Sequence, residues 1–181
     1  MKAYHLKFET PIDDLARDIV QGAEKDFWIL GQFHLDEIIC RIGDFVRINN
    51  LTITSWAFDL ETATSFREAF EKGTIKSGDF HVGSMSAKES VEYAGVIWSK
   101  IRIHRSQLHC KFFIAELEDG RTLCATGSSN TYAQNSSSCH FVTFDENYVN
   151  QIKEALKRVE KTRQTTENVE QEELDFGGLF E

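Results

Sequence analysis

Proline is almost missing from this 181-residue chain, which has only Pro11. Proline-rich linkers and collagen-like repeats are thereby excluded. Cysteine is scarce: Cys40, Cys110, Cys124 and Cys139 form no CxxC pair, so free thiols are expected rather than disulfides. Cys110, Cys124, Cys139 and His140 could in principle gather around zinc, but their spacing matches no common structural site. Small half-buried hydrophobes are the better reading, and no metal or other cofactor is expected. No apolar run approaches the roughly 20 residues that span a bilayer. The start, Met1 to Lys7, lacks the apolar core of a signal peptide. The expectation is a soluble, cytoplasmic protein without membrane contact.

Excess positive charge is also lacking. The formal net charge is −9, but it is uneven. The last 18 residues, from Gln164, hold Glu167, Glu170, Glu172, Glu173, Asp175 and Glu181 and no Lys or Arg. Without them, 20 basic residues face 23 acidic ones. A near-neutral body can carry a local basic groove, but not the broad basic surface of an obligate DNA binder.

What is present is an ordinary globular composition, 41% hydrophobic and 27% charged, long enough for one domain with short attachments. Ile12, Leu15, Ile19 and Val20 predict a short helix after an extended start, with Thr10 as N-cap and Pro11 at the first helical position. Residues 27–30 read as a strand. Leu35, Ile38, Ile39, Ile42 and Val46 mark one face of a helix over 35–47. Residues 51–58 are β-branched and aromatic and predict a strand. A helix over 60–72 closes at Gly73. Strands follow at 80–82 and 101–104, with a helix at 86–98 between them.

Residues 111–117 and 121–126 are strand candidates joined by Glu118-Asp119-Gly120, and Asp-Gly between such runs signals a hairpin. A strand at 139–144 and an amphipathic helix at 147–163 complete the order. The expectation is an α/β fold: a mixed sheet flanked by helices on both faces, with some antiparallel pairing. Residues 1–24 are expected to be an N-terminal extension, 25–163 the domain, and 164–181 a disordered acidic tail.

The chemistry concentrates between residues 108 and 135. His109 and Lys111 stand two apart at a strand start, so their side chains point the same way. The hairpin then returns the chain to Gly127-Ser128-Ser129-Asn130. One pocket would hold an imidazole, an ammonium, hydroxyls, an amide and glycine-loop N–H groups. Those groups suit a phosphate: donors for its oxygens and a nitrogen nucleophile for its phosphorus.

This pattern closely resembles the phospholipase D superfamily signature, H-x-K followed by G-S-x-N, matched at His109, Lys111, Gly127, Ser128 and Asn130. The element order from about 25 to 163 is similar to that family's domain. The resemblance implies that His109 attacks phosphorus to form a covalent phosphohistidine. A second histidine protonates the leaving oxygen, and water completes hydrolysis. Lys111 and Asn130 would hold phosphoryl oxygens, Ser128 would hydrogen-bond nearby, and Gly127 and Ser129 would add to the phosphate cradle. The family uses two motifs per site and this chain has one, so the resemblance implies a homodimer with the site on its two-fold axis. Its size is that of the short, nuclease-like members.

The sequence departs from the family at two places. Glu116 stands where an Asp five residues after the Lys is usual, and is read as a supporting acid. Ser138 stands where nuclease-like members often carry a Glu that holds the histidine. The Lys111-to-Gly127 spacing is also a few residues longer than usual.

Plainer roles compete. Phe112, Phe113 and Ile114 read as core, as do Trp28, Trp56 and Trp98. Lys100, Arg102 and Arg105 are solvated charges or contacts to a nucleic-acid backbone. Leu174, Phe176, Leu179 and Phe180 form an apolar cluster at the end of the acidic tail, read as a peptide that docks on a partner protein. The leading expectation is a metal-independent nuclease working on nucleic acid, DNA before RNA. The alternative is a binding module that keeps the phosphate pocket with little turnover. A phospholipid hydrolase is a third, weaker option.

Overall fold

The computed structural model describes residues 3–31, 35–55, 60–82, 100–105, 111–127 and 139–158. Contacts within the chain divide it into two compact units, Met1–Glu146 and Asn147–Glu181. The first contains β1 (Tyr4–Lys7), α1 (Ile12–Gln21), β2 (Phe27–Gly31), α2 (Leu35–Phe45), β3 (Ile48–Ser55), α3 (Leu60–Lys72), β4 (Gly78–Val82), β5 (Ile101–Arg105), β6 (Phe112–Leu117), β7 (Thr122–Gly127) and β8 (Cys139–Thr143). The second begins within a helix that runs through residue 158. The helix expected at 86–98 and the tail residues Leu174, Phe176, Leu179 and Phe180 lie outside the described residues. Among the described residues, no helix is long and apolar enough to cross a membrane.

The strands form one eight-stranded mixed sheet in the order β1-β2-β8-β7-β6-β3-β4-β5. Its centre is antiparallel, from β2 through β8, β7 and β6 to β3. Its flanks are parallel: β1 with β2, and β3 with β4 and β5.

Alternation along the strands explains the core. Trp28 and Leu30, Leu51 and Ile53, Phe80 and Val82, Phe113 and Ala115, Leu123 and Ala125, and Val142 share one face. There they join Leu15 and Ile19 of α1, Ile38, Ile39 and Ile42 of α2, and Phe66 and Phe70 of α3 in one buried cluster. The three helices thus cover one face of the sheet. On the other face, Phe112, Ile114 and Cys124 are buried, whereas Tyr4, Leu6 and Phe141 are exposed.

Of the N-terminal extension expected at residues 1–24, Tyr4–Lys7 and Ile12–Gln21 are elements of the first unit. Tyr4–Lys7 adds an edge strand to β2, and Leu15, Ala16 and Ile19 are fully buried. A four-residue strand gives too short a pattern to announce itself. Pro11, rather than Thr10, is the N-cap of α1, with extended angles (φ −55°, ψ 141°) and no side-chain cap bond. The Pro11 carbonyl instead accepts the Leu15 N–H at 2.9 Å.

The expected hairpin forms. Gly120 takes φ 90°, its N–H donates to the Leu117 carbonyl at 3.1 Å, and Leu117 N–H donates to the Arg121 carbonyl at 2.8 Å. A turn followed by a left-handed glycine is a common three-residue hairpin connection.

Candidate phosphodiester site

Strand direction decides where the motif lies. β1, β2, β3, β4, β5 and β7 run one way, and β6 and β8 run the other. The carboxyl ends of six strands and the amino ends of β6 and β8 therefore share one end of the sheet. Open α/β sheets bind ligands outside the carboxyl ends of their strands. Residues 106–110 connect β5 to β6 at this end, and residues 128–138 connect β7 to β8 there. These two connections carry His109 and Ser128, Ser129 and Asn130, which lie outside the described residues.

Lys111 and Gly127 are described, and they are neighbours. Gly127 N–H donates to the Lys111 carbonyl at 3.3 Å, just past the Phe112–Thr126 pair of the β6–β7 ladder. The hairpin thus brings the end of the H-x-K element beside the start of the G-S-x-N element. By alternation, Lys111 and Gly127 take the same face as Phe113 and Ala125, the face that α1, α2 and α3 cover.

Next to them stands a residue that sequence reasoning did not assign to the site. His140 pairs with Gly127 across β7 and β8 and shares its face. Its side chain is buried, at 1% exposure. A Cβ added to Gly127 would collide with the His140 ring, at Nδ1, Cε1 and Cγ. Among the described glycines only Gly73 and Gly120 have positive φ. Gly127 is therefore a glycine for want of room, not for a left-handed backbone. The sequence brings up His140 only as a possible zinc ligand beside the cysteines. Its pairing with Gly127 depends on a β7–β8 register that the eleven intervening residues conceal.

Glu116 is not brought to this group. It is five residues along β6 from Lys111, about 17 Å at strand rise, and alternation puts it on the other face. It is exposed and stands opposite Asn50 and Thr122 near the hairpin turn. Cys124 and His140 also emerge on opposite faces, so they cannot share a zinc ion. Burial pushes the Cys124 thiol up to about 12, which keeps it protonated and inert.

The other described polar cluster lies on the second face, on β4 and β5. Arg102 grips Asp79 through Nε and Nη2, both at 2.7 Å, and His104 Nε2 lies 3.2 Å from Asp79 Oδ1. The His104 ring stacks on buried His81, with centroids 4.6 Å apart. Burial raises the Asp79 carboxyl, but the hydrogen bonds from Arg102 and His104 outweigh it and hold it below the usual range. Arg102, read from the sequence as a solvated charge or a backbone contact, is thus engaged by a carboxylate. Lys100 Nζ donates to the Phe70 carbonyl at 3.1 Å. Trp28 is core, as expected, while Trp56 and Trp98 lie outside the described residues.

A mixed sheet with α1, α2 and α3 on one face, and a hairpin that sets Lys111 beside Gly127 at the carboxyl end, fits the phospholipase D-like fold expected from the sequence. Comparison with solved structures agrees. A polyphosphate kinase from Porphyromonas gingivalis matches with a TM-score of 0.54 at 11% identity, over 80% of this chain and 26% of its own. Nuc from Salmonella typhimurium, a phospholipase D family member, matches with a TM-score of 0.51 at 10% identity, over 75% of this chain and 93% of its own. TrmBL2, an archaeal chromatin protein with a novel mode of DNA binding, matches with a TM-score of 0.50 at 11% identity, over 82% of this chain and 57% of its own. The chain therefore spans about a quarter of the kinase, just over half of the chromatin protein and nearly all of Nuc. No protein-family model and no curated protein matches the chain. The chain has the phospholipase D superfamily fold.

Proposed function

We propose that this chain is a metal-independent phosphodiesterase of the phospholipase D type that cleaves nucleic acid, DNA before RNA. The observation that supports the reading is the Gly127–Lys111 hydrogen bond, which sets Lys111 beside Gly127 at the end of the sheet where six strands have their carboxyl ends. Likeness in fold to Nuc supports the reading.

In the proposed reaction a ring nitrogen of His109 attacks phosphorus, forming a P–N bond as the P–O bond to the leaving group breaks. The leaving oxygen takes a proton from the His109 of a second subunit. Water then attacks phosphorus, gives its proton back to that histidine, and releases His109. Lys111 and Asn130 hold the phosphoryl oxygens, with Ser128, Ser129 and the Gly127 region completing the cradle. With one motif per chain, the working unit is a homodimer. The apolar residues Leu174, Phe176, Leu179 and Phe180 recruit a protein partner.

A second reading, a DNA-binding module without efficient turnover, draws on the likeness to TrmBL2 and on Ser138 in place of the usual acid. Cleavage of end-labelled single- and double-stranded DNA and RNA in excess EDTA, for wild type beside His109→Ala, separates the two. Cleavage that disappears in the variant is expected. Binding without cleavage on any substrate would transfer the function to the second reading.

A further inference from the structure

We propose that His140 is a positioning residue of the phosphodiester site, holding Gly127 at the exit of β7 against Lys111. The proposal rests on the phosphodiesterase reading above and deepens it.

Three observations converge on His140. First, Lys111, Gly127 and His140 lie on three adjacent strands, on one face of the sheet, in one lateral row at its carboxyl end. Neighbouring strands are about 4.8 Å apart, which puts the His140 backbone roughly 10 Å from that of Lys111. Second, the ring is buried on the face that otherwise holds the apolar core, with Val142 two residues on and Leu30 across β2. Third, Gly127 has given up its side chain to this ring. The ring and the glycine form a matched pair, and Gly127 is the residue from which the chain passes directly into Ser128.

The consequence is mechanical and local. The Gly127 peptide is held from one side by the Lys111 carbonyl and from the other by the His140 imidazole. Smaller or differently shaped groups at 140 let the β7 exit shift. A displacement of order 1 Å at a reacting group costs about 100-fold in rate. His140 touches neither substrate nor reacting atoms here; it acts through Gly127.

The test uses the full chain. His140→Leu keeps volume and apolar packing, and His140→Gln keeps a polar group. Single-turnover cleavage of end-labelled DNA in EDTA gives the rate and the half-saturating concentration separately. His140→Leu is expected to lose 10- to 100-fold in rate, with half-saturation changed less than threefold and the melting temperature held; His140→Gln is expected to recover part of the rate. Equal rates in His140→Leu and wild type would overturn the proposal. A measurement that needs no folded variant runs beside it: inorganic phosphate titrated into labelled wild type, read at the histidine ring nitrogens. The His140 signals are expected to follow the same saturation curve as the Gly127 amide, and His140 signals that stay fixed at saturation would overturn the proposal. Wild type that neither cleaves DNA nor binds phosphate through Lys111 would instead overturn the phosphodiesterase reading, and this proposal with it.

Discussion

A methyl group on Gly127 would enter the space of the His140 ring, so Gly127→Ala should cost about 1–3 kcal/mol as an overpacked site. In a His140→Ala background that cost should largely vanish. Urea unfolding of the two single variants and the double variant reads the coupling. Additive losses would mean that the ring and the glycine do not oppose each other. Gly120 makes the contrast: nothing crowds it, but its φ is 90°. Asp79 carries a pH-dependent term. Its folded carboxyl is held below the unfolded value of 3.8, so its contribution is present above that pH and is lost as pH falls through the folded value. The stability difference between wild type and Asp79→Asn, measured by urea unfolding, should be full at pH 6 and shrink below about pH 4. A difference that does not change with pH would contradict the Arg102–Asp79–His104 account. At this scale the sequence disclosed Lys111 and Gly127 as partners, because a hairpin brings them together locally. It concealed His140, whose contact is non-local, and it suggested Glu116, which alternation turns to the other face.

Among the elements, the β6–β7 hairpin is anchored by Arg121. Arg121 donates through Nη2 to the Val20 carbonyl at 2.8 Å and through Nη1 to the Gly22 carbonyl at 3.4 Å. Its guanidinium also pairs with Asp119 at 2.7 Å and lies 4.6 Å from the centre of the Phe144 ring. One side chain thus caps the end of α1, fixes the turn and covers an aromatic ring of the core. Arg121→Ala should lower stability by about 1.5–3 kcal/mol, the range for hydrogen bonds to a charged group. A loss under ~0.5 kcal/mol on urea unfolding would place the clamp among ordinary surface pairs. Helix α2 was legible from apolar spacing, and the end of α3 from Gly73. The hairpin was legible from Asp-Gly. The order of the sheet was not, because β6 pairs with β3 and β8 with β2 across long separations that no local pattern encodes.

For the whole molecule, strand direction gathers the β5–β6 and β7–β8 connections at one end of the sheet, and the proposed mechanism, with one motif per chain, calls for a second copy to supply the other histidine. Light scattering at micromolar concentration should therefore report a dimer, and a monomer that still cleaves DNA would contradict the shared site. The central claim is the covalent histidine, and trapping it is the most direct test. Labelled oligonucleotide is mixed with excess protein in EDTA, quenched by denaturation and resolved on a gel. The account predicts label that migrates with the protein, is released by acid, and is absent in His109→Ala. Cleaved product without any protein-bound label at early times, or label retained in His109→Ala, would contradict it.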